Sequence, residues 1–170
     1  MEIEYSYKKI FILKKLIRTI LLIIASIMFH FLMGADTLIQ TILIWLVYIS
    51  VAVLFILDSL PGIIHLFKAK YKKIILENLS IYFVITEEEK EVMVEKFNIK
   101  EIRFEAFLTK DIIIPAAKPI EEIDDSTYNL PGRKFVVETE DNEEYNIYLE
   151  LLDDDFVEDF IDWYQGNEVF

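Results

Sequence analysis

Two long apolar runs decide the fold of this chain: LIRTILLIIASIMFHFLM (residues 16–33) and LIQTILIWLVYISVAVLFIL (residues 38–57), joined by GADT (34–37). The second run contains no charged residue. A helix rises ~1.5 Å per residue, so each run reaches roughly 27–30 Å, about the thickness of a bilayer's hydrocarbon core. Because lipid offers the backbone no hydrogen-bond partners, the pattern predicts a hairpin of two transmembrane helices.

The residues at the helix ends support this hairpin. Gly34 suits the left-handed position that closes a helix, and Asp36 or Thr37 can cap the start of the next one. Pro61-Gly62 predicts that the second helix ends near Asp58-Ser59. The apolar segment 63–67 that follows either lies at the membrane interface or extends the helix past a kink.

Basic residues flank both helices and are absent from the connecting loop. By the positive-inside rule, both termini are predicted to be cytoplasmic. A cleaved signal peptide does not fit, because the first run lacks a small-residue cleavage site and leads directly into a second span. The nine flanking cations are expected to contact lipid headgroups: Lys8, Lys9, Lys14, Lys15, Arg18, Lys68, Lys70, Lys72 and Lys73.

The composition changes after the hairpin, which divides the chain into a membrane segment (1–73, helices at about 16–33 and 38–57) and an acidic domain (74–170). The first part carries nine Lys/Arg against four Asp/Glu, a net charge of +5, and the second carries eight against 26, a net charge of −18. Such a domain is not expected to bind nucleic-acid phosphates or anionic lipid. The absence of cysteine excludes disulfides and thiol chemistry and fits the cytoplasm.

The acidic domain has the pattern of a β-rich fold. Strands are predicted at 80–86, 101–108 and 111–115, and residues 134–139 and 144–151 are expected to form a hairpin around a polar turn. In the last strand, Tyr145, Ile147, Leu149 and Leu151 are expected to share one face. The segment 87–97 fits either a short helix or a turn followed by a strand, and its β-rich surroundings favour the strand.

The last predicted element is an amphipathic helix. Asp155 is expected to cap it, with Glu158 three residues further on, and Gly166 to end it. Its apolar face contains Phe156, Val157, Phe160, Ile161 and Tyr164, with Trp163 at the edge.

The order of these elements resembles a known family. Residues 81–86, 97–102, 135–151 and 155–164, following two membrane helices and a basic link, are similar to small bacterial membrane proteins with a pleckstrin-homology-like domain, in particular the YcxB-like group. The resemblance implies a seven-strand, barrel-like sandwich closed by the C-terminal helix, a place in the bacterial cytoplasmic membrane, and no catalytic residues. Some membrane proteins of this layout are similar to self-immunity proteins against bacteriocins or toxins.

The sequence offers little chemistry for catalysis. It contains no nucleophile–histidine–acid pattern, phosphate-binding loop or His/Cys metal spacing, so no enzyme activity and no cofactor are expected. The acidic runs 141–144 and 153–155 lack the alternating spacing and central glycine of a calcium loop. His30 is either an intramembrane ion site or, as the cost of burial favours, a residue that reaches the outer headgroups. Arg18 is expected to snorkel to the inner headgroups.

The acidic charge either attracts a protein partner with a basic surface or confers solubility alone. The predicted function is a membrane-anchored, non-catalytic binding factor of the immunity type, which neutralises a toxin at the inner face of the membrane. The alternative is a structural or regulatory subunit that docks onto a membrane complex or onto copies of itself. The candidate partner-binding residues are Glu143, Glu144, Asp153, Asp154 and Asp155.

Overall fold

A computed structural model describes residues 2–34, 37–85, 91–107, 109, 111–114, 130–153 and 155–166. Two long helical segments lie near the N-terminus: α1 (Lys9–Met33) and a second segment made of α2 (Leu38–Leu54), a π-helical turn (Phe55–Ser59) and α3 (Leu60–Lys68). Both are long and apolar enough to cross a membrane. The predicted helix pair is therefore present, although α1 begins seven residues earlier than the apolar run.

The second helix does not end near Asp58-Ser59, and that prediction was wrong. It continues to Lys68, which agrees with the alternative of an extended helix. Pro61 has no N–H, and its ring crowds the carbonyl one turn earlier, so proline disrupts a regular α-helix. Here the wide π-helical turn precedes it, and the Leu60 N–H donates to the Phe55 carbonyl. Because this turn absorbs the irregularity, the helix passes through the proline.

The loop between the helices follows the expected capping chemistry in part. Thr37 forms a complete capping box with Gln40, whereas Asp36 lies outside the described residues. Gly34 has φ 64° and ψ 179°, and its N–H donates to His30 O. The positive φ explains the glycine, but the extended ψ shows that the expected left-handed helical conformation was wrong.

The described strands form two antiparallel sheets of four. The first has the order β1-β2-β3-β4 and the second β6-β5-β7-β8. The strands are β1 (Ile3–Ser6), β2 (Tyr71–Leu76), β3 (Ser80–Ile85), β4 (Glu91–Glu95), β5 (Ile99–Glu105), β6 (Ile112–Ile114), β7 (Lys134–Thr139) and β8 (Glu144–Tyr148).

Most of these strands lie where the sequence predicted them. The strand alternative for 87–97 is confirmed at β4, while residues 86–90 are outside the described part. The last strand is shorter than expected, because Leu149–Leu151 form a 3₁₀ turn. Leu149 still enters the main core, but Leu151 joins a separate cluster beside the helices.

The sequence analysis assigned no strand to β1 or to β2, and the pairing of these two strands changes how the two parts are connected. β1 precedes α1 and pairs antiparallel with β2, which follows α3, with Tyr5 opposite Ile74. The helix hairpin is thus inserted between two hydrogen-bonded neighbouring strands. Both of its ends are attached to the same sheet.

The two sheets and the C-terminal helix α4 (Asp155–Gln165) share one core. Phe83 of the first sheet stacks on Tyr145 of the second with ring centroids 4.9 Å apart. Phe160 of α4 is fully buried against Phe135, also at 4.9 Å. Trp163, expected at the edge of the apolar face, is buried, and its indole N–H donates to Glu77 O.

Asp155 is the first residue of α4 rather than its cap, so that expectation was wrong. The position before it, Asp154, lies outside the described residues. The Phe156 N–H donates to the Asp153 carbonyl at 3.1 Å, so the backbone satisfies part of the helix start. Gly166 ends the helix with φ 76°, as the sequence predicted.

Candidate functional site at the helix–sandwich junction

A buried carboxylate joins the helix hairpin to the sandwich. Glu150 lies in the 3₁₀ turn after β8, and its side chain is only 3% exposed. Its Oε1 accepts a hydrogen bond from the Gly132 N–H at 2.8 Å and lies 3.7 Å from Lys15 Nζ of α1. Its Oε2 lies 3.5 Å from His65 Nδ1 of α3. One side chain of the sandwich therefore contacts both helical segments.

His65 is held from two sides at this junction. Its ring packs against the ring of Tyr148 with centroids 4.5 Å apart, and its Nδ1 faces Glu150. Within the described part of the chain, His65 Nδ1 and Glu150 Oε2 have no hydrogen-bond partner, although they lie 3.5 Å apart. Two buried polar atoms thus depend on each other for electrostatic compensation.

The charges around Glu150 keep it ionised. Burial raises the pKa of this carboxyl, but the contact with His65, the Gly132 N–H and the positive charge of Lys15 outweigh burial and lower the pKa below its usual value. Lys15 also lies 3.3 Å from Asp58 Oδ1 in the π-helical turn. The junction is therefore a chain of charges that runs from the second helical segment through α1 into the sandwich.

Small residues let the helices approach the sandwich this closely. A Cβ atom on Gly62 would lie 3.0 Å from Glu150 Oε2 and 3.4 Å from Ile12 Cγ1. In the adjacent turn, Ser59 Oγ and Thr19 Oγ1 form a buried hydrogen bond of 2.7 Å between the two helices. A π-helical turn is often found at functional sites, and here it contains the residues that contact α1.

A second set of contacts attaches the start of α1 to the sandwich. The Lys8 N–H donates to Leu151 O at 2.7 Å, and Lys8 Nζ binds Asp153 at 2.6 Å. Tyr7 Oη accepts a hydrogen bond from the Tyr148 N–H at 3.3 Å. An apolar cluster beside these bonds contains Ile12, Tyr148 and Leu151, with Leu16, Ile63 and Leu66 packed around it.

The predicted partner-binding residues do not form one surface. Glu144 accepts from Arg103 Nη2 at 2.7 Å, and Asp153 pairs with Lys8, so both charges are compensated within the chain. Glu143 is exposed and accepts from the Tyr145 hydroxyl at 2.5 Å. Asp155 is exposed on α4, and Asp154 lies outside the described residues.

The predicted headgroup contacts also divide into groups. Three of them form ion pairs within the chain. Lys8 pairs with Asp153, Lys15 with Asp58 and Glu150, and Lys73 with Glu4. Lys9, Lys70 and Lys72 line a cleft at the ends of the helices next to β2. Lys14 lines a cavity of about 610 Å³ next to the junction, and Arg18 and Lys68 are exposed.

His30 has a protein partner that the sequence did not suggest. Its Nδ1 lies 3.0 Å from the Tyr48 hydroxyl of α2, which links the two helices near the connecting loop.

Sequence reasoning missed an ion-pair network on the outer face of the second sheet. Arg103 lies at its centre and contacts Glu101, Glu138 and Glu144 at 2.7 to 3.0 Å. The period-two pattern of β5 placed Glu101, Arg103 and Glu105 on one face, which was the available signal. The partners from β7 and β8 depend on the strand register.

The contacts at the junction couple the helix hairpin to the sandwich. In the described ranges, no group of three or more His, Cys, Asp or Glu residues could hold a metal ion. The hydroxyl of Ser59, in the π-helical turn, is hydrogen-bonded to Thr19. Comparisons of the chain with known protein families, with characterised proteins and with solved structures find no match. The function must therefore be inferred from the junction and from the charged surfaces.

Proposed function

We propose that this protein is a membrane-anchored, non-catalytic protein-binding factor of the bacterial cytoplasmic membrane, with both termini and the sandwich on the cytoplasmic side. The observation that supports it most is the junction, where buried Glu150 contacts both helical segments. A flexible tether would need no such contact. A fixed attachment presents one particular face of the sandwich to a partner at the membrane surface.

The outer face of α4 is the best candidate for that surface. Asp155 and Glu158 are exposed there, and Asp159 and Asp162 lie beside them at helical spacing. The other acidic group, at the β7–β8 turn, is partly neutralised because Arg103 binds Glu144. Residues 74–170 carry eight Lys/Arg against 26 Asp/Glu, a net charge of −18, which accelerates encounter with a basic protein surface.

The immunity-type role is the form of this function that we propose first. A small anchored factor that neutralises a basic toxin at the inner membrane face needs a rigid mount, a complementary charge and no active site. The resemblance to membrane proteins with a pleckstrin-homology-like domain supports the same proposal.

A second candidate is a subunit of a membrane complex, and one surface feature favours it. Leu79 and Phe97 are 70% and 75% exposed, and the Lys96 N–H donates to Leu79 O at 2.7 Å, which holds their segments together. Paired exposed apolar side chains are typical of a docking contact. A second copy of the chain is one partner that this surface would fit.

Charge variants test the proposal and separate its two forms. We expect Asp155→Asn with Glu158→Gln to slow capture of the partner from solubilised membranes, with a difference that shrinks as salt rises. The matched control is Glu143→Gln with Glu144→Gln, which removes the same charge elsewhere. Thermal melting of each variant is measured first, because acidic residues in the first turn also stabilise α4.

Survival of cells that express a co-encoded toxin, with and without this protein, decides between toxin neutralisation and a subunit role. Protection that is lost with the α4 variant and kept with the control supports the immunity form. A lack of protection against every co-encoded toxin, together with a stable non-toxin complex sensitive to Leu79→Ser and Phe97→Ser, would favour the subunit. Equal capture by both charge variants and wild type would contradict recognition through α4.

A further inference from the structure

The base of the hairpin, which consists of residues 9–18 of α1 together with α3, lies against the sandwich on one side. Ile12 is 1% exposed and clusters with Tyr148 and Leu151 of the sandwich, and buried Glu150 contacts both helical segments of the base. Open sheets and charged surfaces do not enter the hydrocarbon core of a bilayer. On the side that faces the sandwich, the base therefore stands outside this core.

On the same side, the uncharged part of α1 begins at Thr19. This residue is hydrogen-bonded to Ser59 across the hairpin, and residues 19–33 contain no Asp, Glu, Lys or Arg. The stretch from Thr19 to the end of α1 at Met33 is about 22 Å long, whereas the hydrocarbon core of a bilayer is about 30 Å thick. Measured on its sandwich side, α1 is therefore too short to cross this core upright.

The other side of α1 carries an apolar row that begins closer to the N-terminus. Ile10, Leu13 and Ile17 are 51%, 50% and 49% exposed. A helix turns about 100° per residue, so these side chains lie roughly 100–160° around α1 from Ile12 and face away from the sandwich. From Ile10 to Phe31 this side of α1 is about 33 Å long, which is enough to cross the hydrocarbon core. The row continues into the hairpin at spacings of three and four residues through exposed Ile20, Ile24, Ile27 and Phe31.

The residues beside this row favour lipid as its partner. Lys9, Lys14 and Arg18 flank the row in the base, and all three are exposed. In the interface of a bilayer, such long side chains place their aliphatic parts on lipid while their charged ends reach the phosphates. Two copies of α1 packed in parallel along the row would instead place Lys9 of one copy opposite Lys14 of the other, and like-charge repulsion opposes this contact.

We propose that the hairpin enters the bilayer obliquely, with Ile10, Leu13 and Ile17 embedded in the lipid of the inner leaflet and the sandwich held outside it on the opposite side of α1. A tilted helix meets a flat surface at different residues on its two sides, here near Ile10 on one side and near Thr19 on the other. The junction then fixes which face of the sandwich is turned toward the membrane. This inference rests on the membrane anchoring in the proposed function, but not on any protein partner.

Spin labelling of the full chain in phosphatidylcholine vesicles tests this arrangement, since the chain has no native cysteine. Single nitroxide labels are attached at Ile10→Cys and Leu13→Cys, at Ile24→Cys within the hairpin, and at Asn98→Cys on the exposed surface of the sandwich. Collisions with oxygen, which concentrates in lipid, and with a water-soluble nickel chelate report the depth of each label. We expect oxygen to dominate at positions 10, 13 and 24, with depth increasing in that order, and nickel to dominate at position 98.

A double variant shows whether the apolar row holds the base in the lipid. With the label at Leu13→Cys, Ile10→Asn with Ile17→Asn should lower the ratio of oxygen to nickel collisions several-fold. The matched control, Met93→Asn with Phe97→Asn, removes two exposed apolar side chains from the sandwich and should leave the ratio unchanged. Thermal melting of each variant confirms that the sandwich is folded before the ratios are compared.

The other outcomes overturn the proposal in distinguishable ways. Nickel collisions at positions 10 and 13, with oxygen at position 24, would show an upright hairpin whose base stands in water. Few collisions with either reagent at positions 10 and 13, together with spin–spin broadening, would show that a second copy of α1 covers the row. Nickel collisions at position 24 as well would mean that the hairpin does not insert, so the membrane anchoring in the proposed function would fail, and not the tilt alone.

Discussion

At the scale of single residues, Gly62 sets how closely the helix hairpin approaches the sandwich. A methyl group at this position would meet Glu150 Oε2 at 3.0 Å, and that oxygen belongs to a side chain held by Gly132 and Lys15. A helix-interior glycine costs ~1 kcal/mol relative to alanine, so its presence here indicates a packing requirement.

Gly62→Ala is expected to destabilise the protein by about 1 kcal/mol or more, despite the better helix propensity of alanine. In the background Glu150→Ala the oxygen is absent, so the same change should become neutral or stabilising. A double-mutant cycle measured by thermal unfolding in detergent gives the coupling between the two positions. Additive effects would mean that Gly62 and Glu150 do not meet.

Glu150 carries a pH dependence whose sign follows from its lowered pKa. A carboxyl with a lower pKa in the folded state stabilises the fold above its ordinary value of 4.5, and this contribution is lost as the pH falls through the lowered value. Glu150→Gln should therefore cost about 1–3 kcal/mol at neutral pH, and the difference from wild type should shrink in acid. Unfolding of both proteins between pH 7 and pH 3 measures it. The exposed Glu158→Gln serves as the control, with an expected change within about 0.5 kcal/mol at neutral pH.

At the scale of elements, α4 closes the sandwich with a row of aromatic rings. Phe160 is fully buried and stacks with Phe135, Phe156 and Trp163 at centroid distances of 4.9, 5.4 and 5.7 Å. The row of packed rings therefore connects the closing helix to the second sheet.

Phe160→Ala is expected to cost roughly 3–5 kcal/mol of stability, because it removes a large buried side chain and leaves a cavity. The full chain must be used, since a fragment of residues 74–170 would lack β1 and the first half of β2. Chemical unfolding followed by tryptophan fluorescence reports the change near Trp163. A loss below 1 kcal/mol would contradict the packing of α4 against β7.

At the scale of the whole molecule, the hairpin is inserted within the first sheet. β1 directly precedes the hairpin in the chain and β2 directly follows it. The two strands are paired from Ile3 opposite Leu76 to Ser6 opposite Lys73. If the hairpin spans a membrane, this connectivity requires both of its ends to lie on the same side as the sandwich.

Cysteine labelling checks this topology directly, since the chain has no native cysteine. We expect Thr37→Cys in the connecting loop to react with an impermeant thiol reagent on intact cells. Ser6→Cys and Asn98→Cys, both at exposed positions, should react only after the cells are opened. Labelling of position 98 on intact cells would contradict the predicted orientation. If none of the three cysteines reacts after lysis, the sites are inaccessible to the reagent.

The sequence by itself determined the elements whose signals are local. Apolar runs, capping residues and period-two alternation depend on nearby residues. The helix pair, a helix cap at Asp36 or Thr37 and most strands could therefore be predicted. The acidic domain and the closing helix followed from composition and periodicity for the same reason.

The tertiary structure decided what depends on residues far apart in the chain. β1 is four residues long, and only its pairing with β2, about 70 positions away, makes it a strand. The contact of Glu150 with Lys15 and His65 likewise arises from packing between distant segments. The charge of buried Glu150 is compensated by groups from three other segments of the chain, and a pattern within one segment cannot reveal this. The junction could therefore be found only in the folded chain.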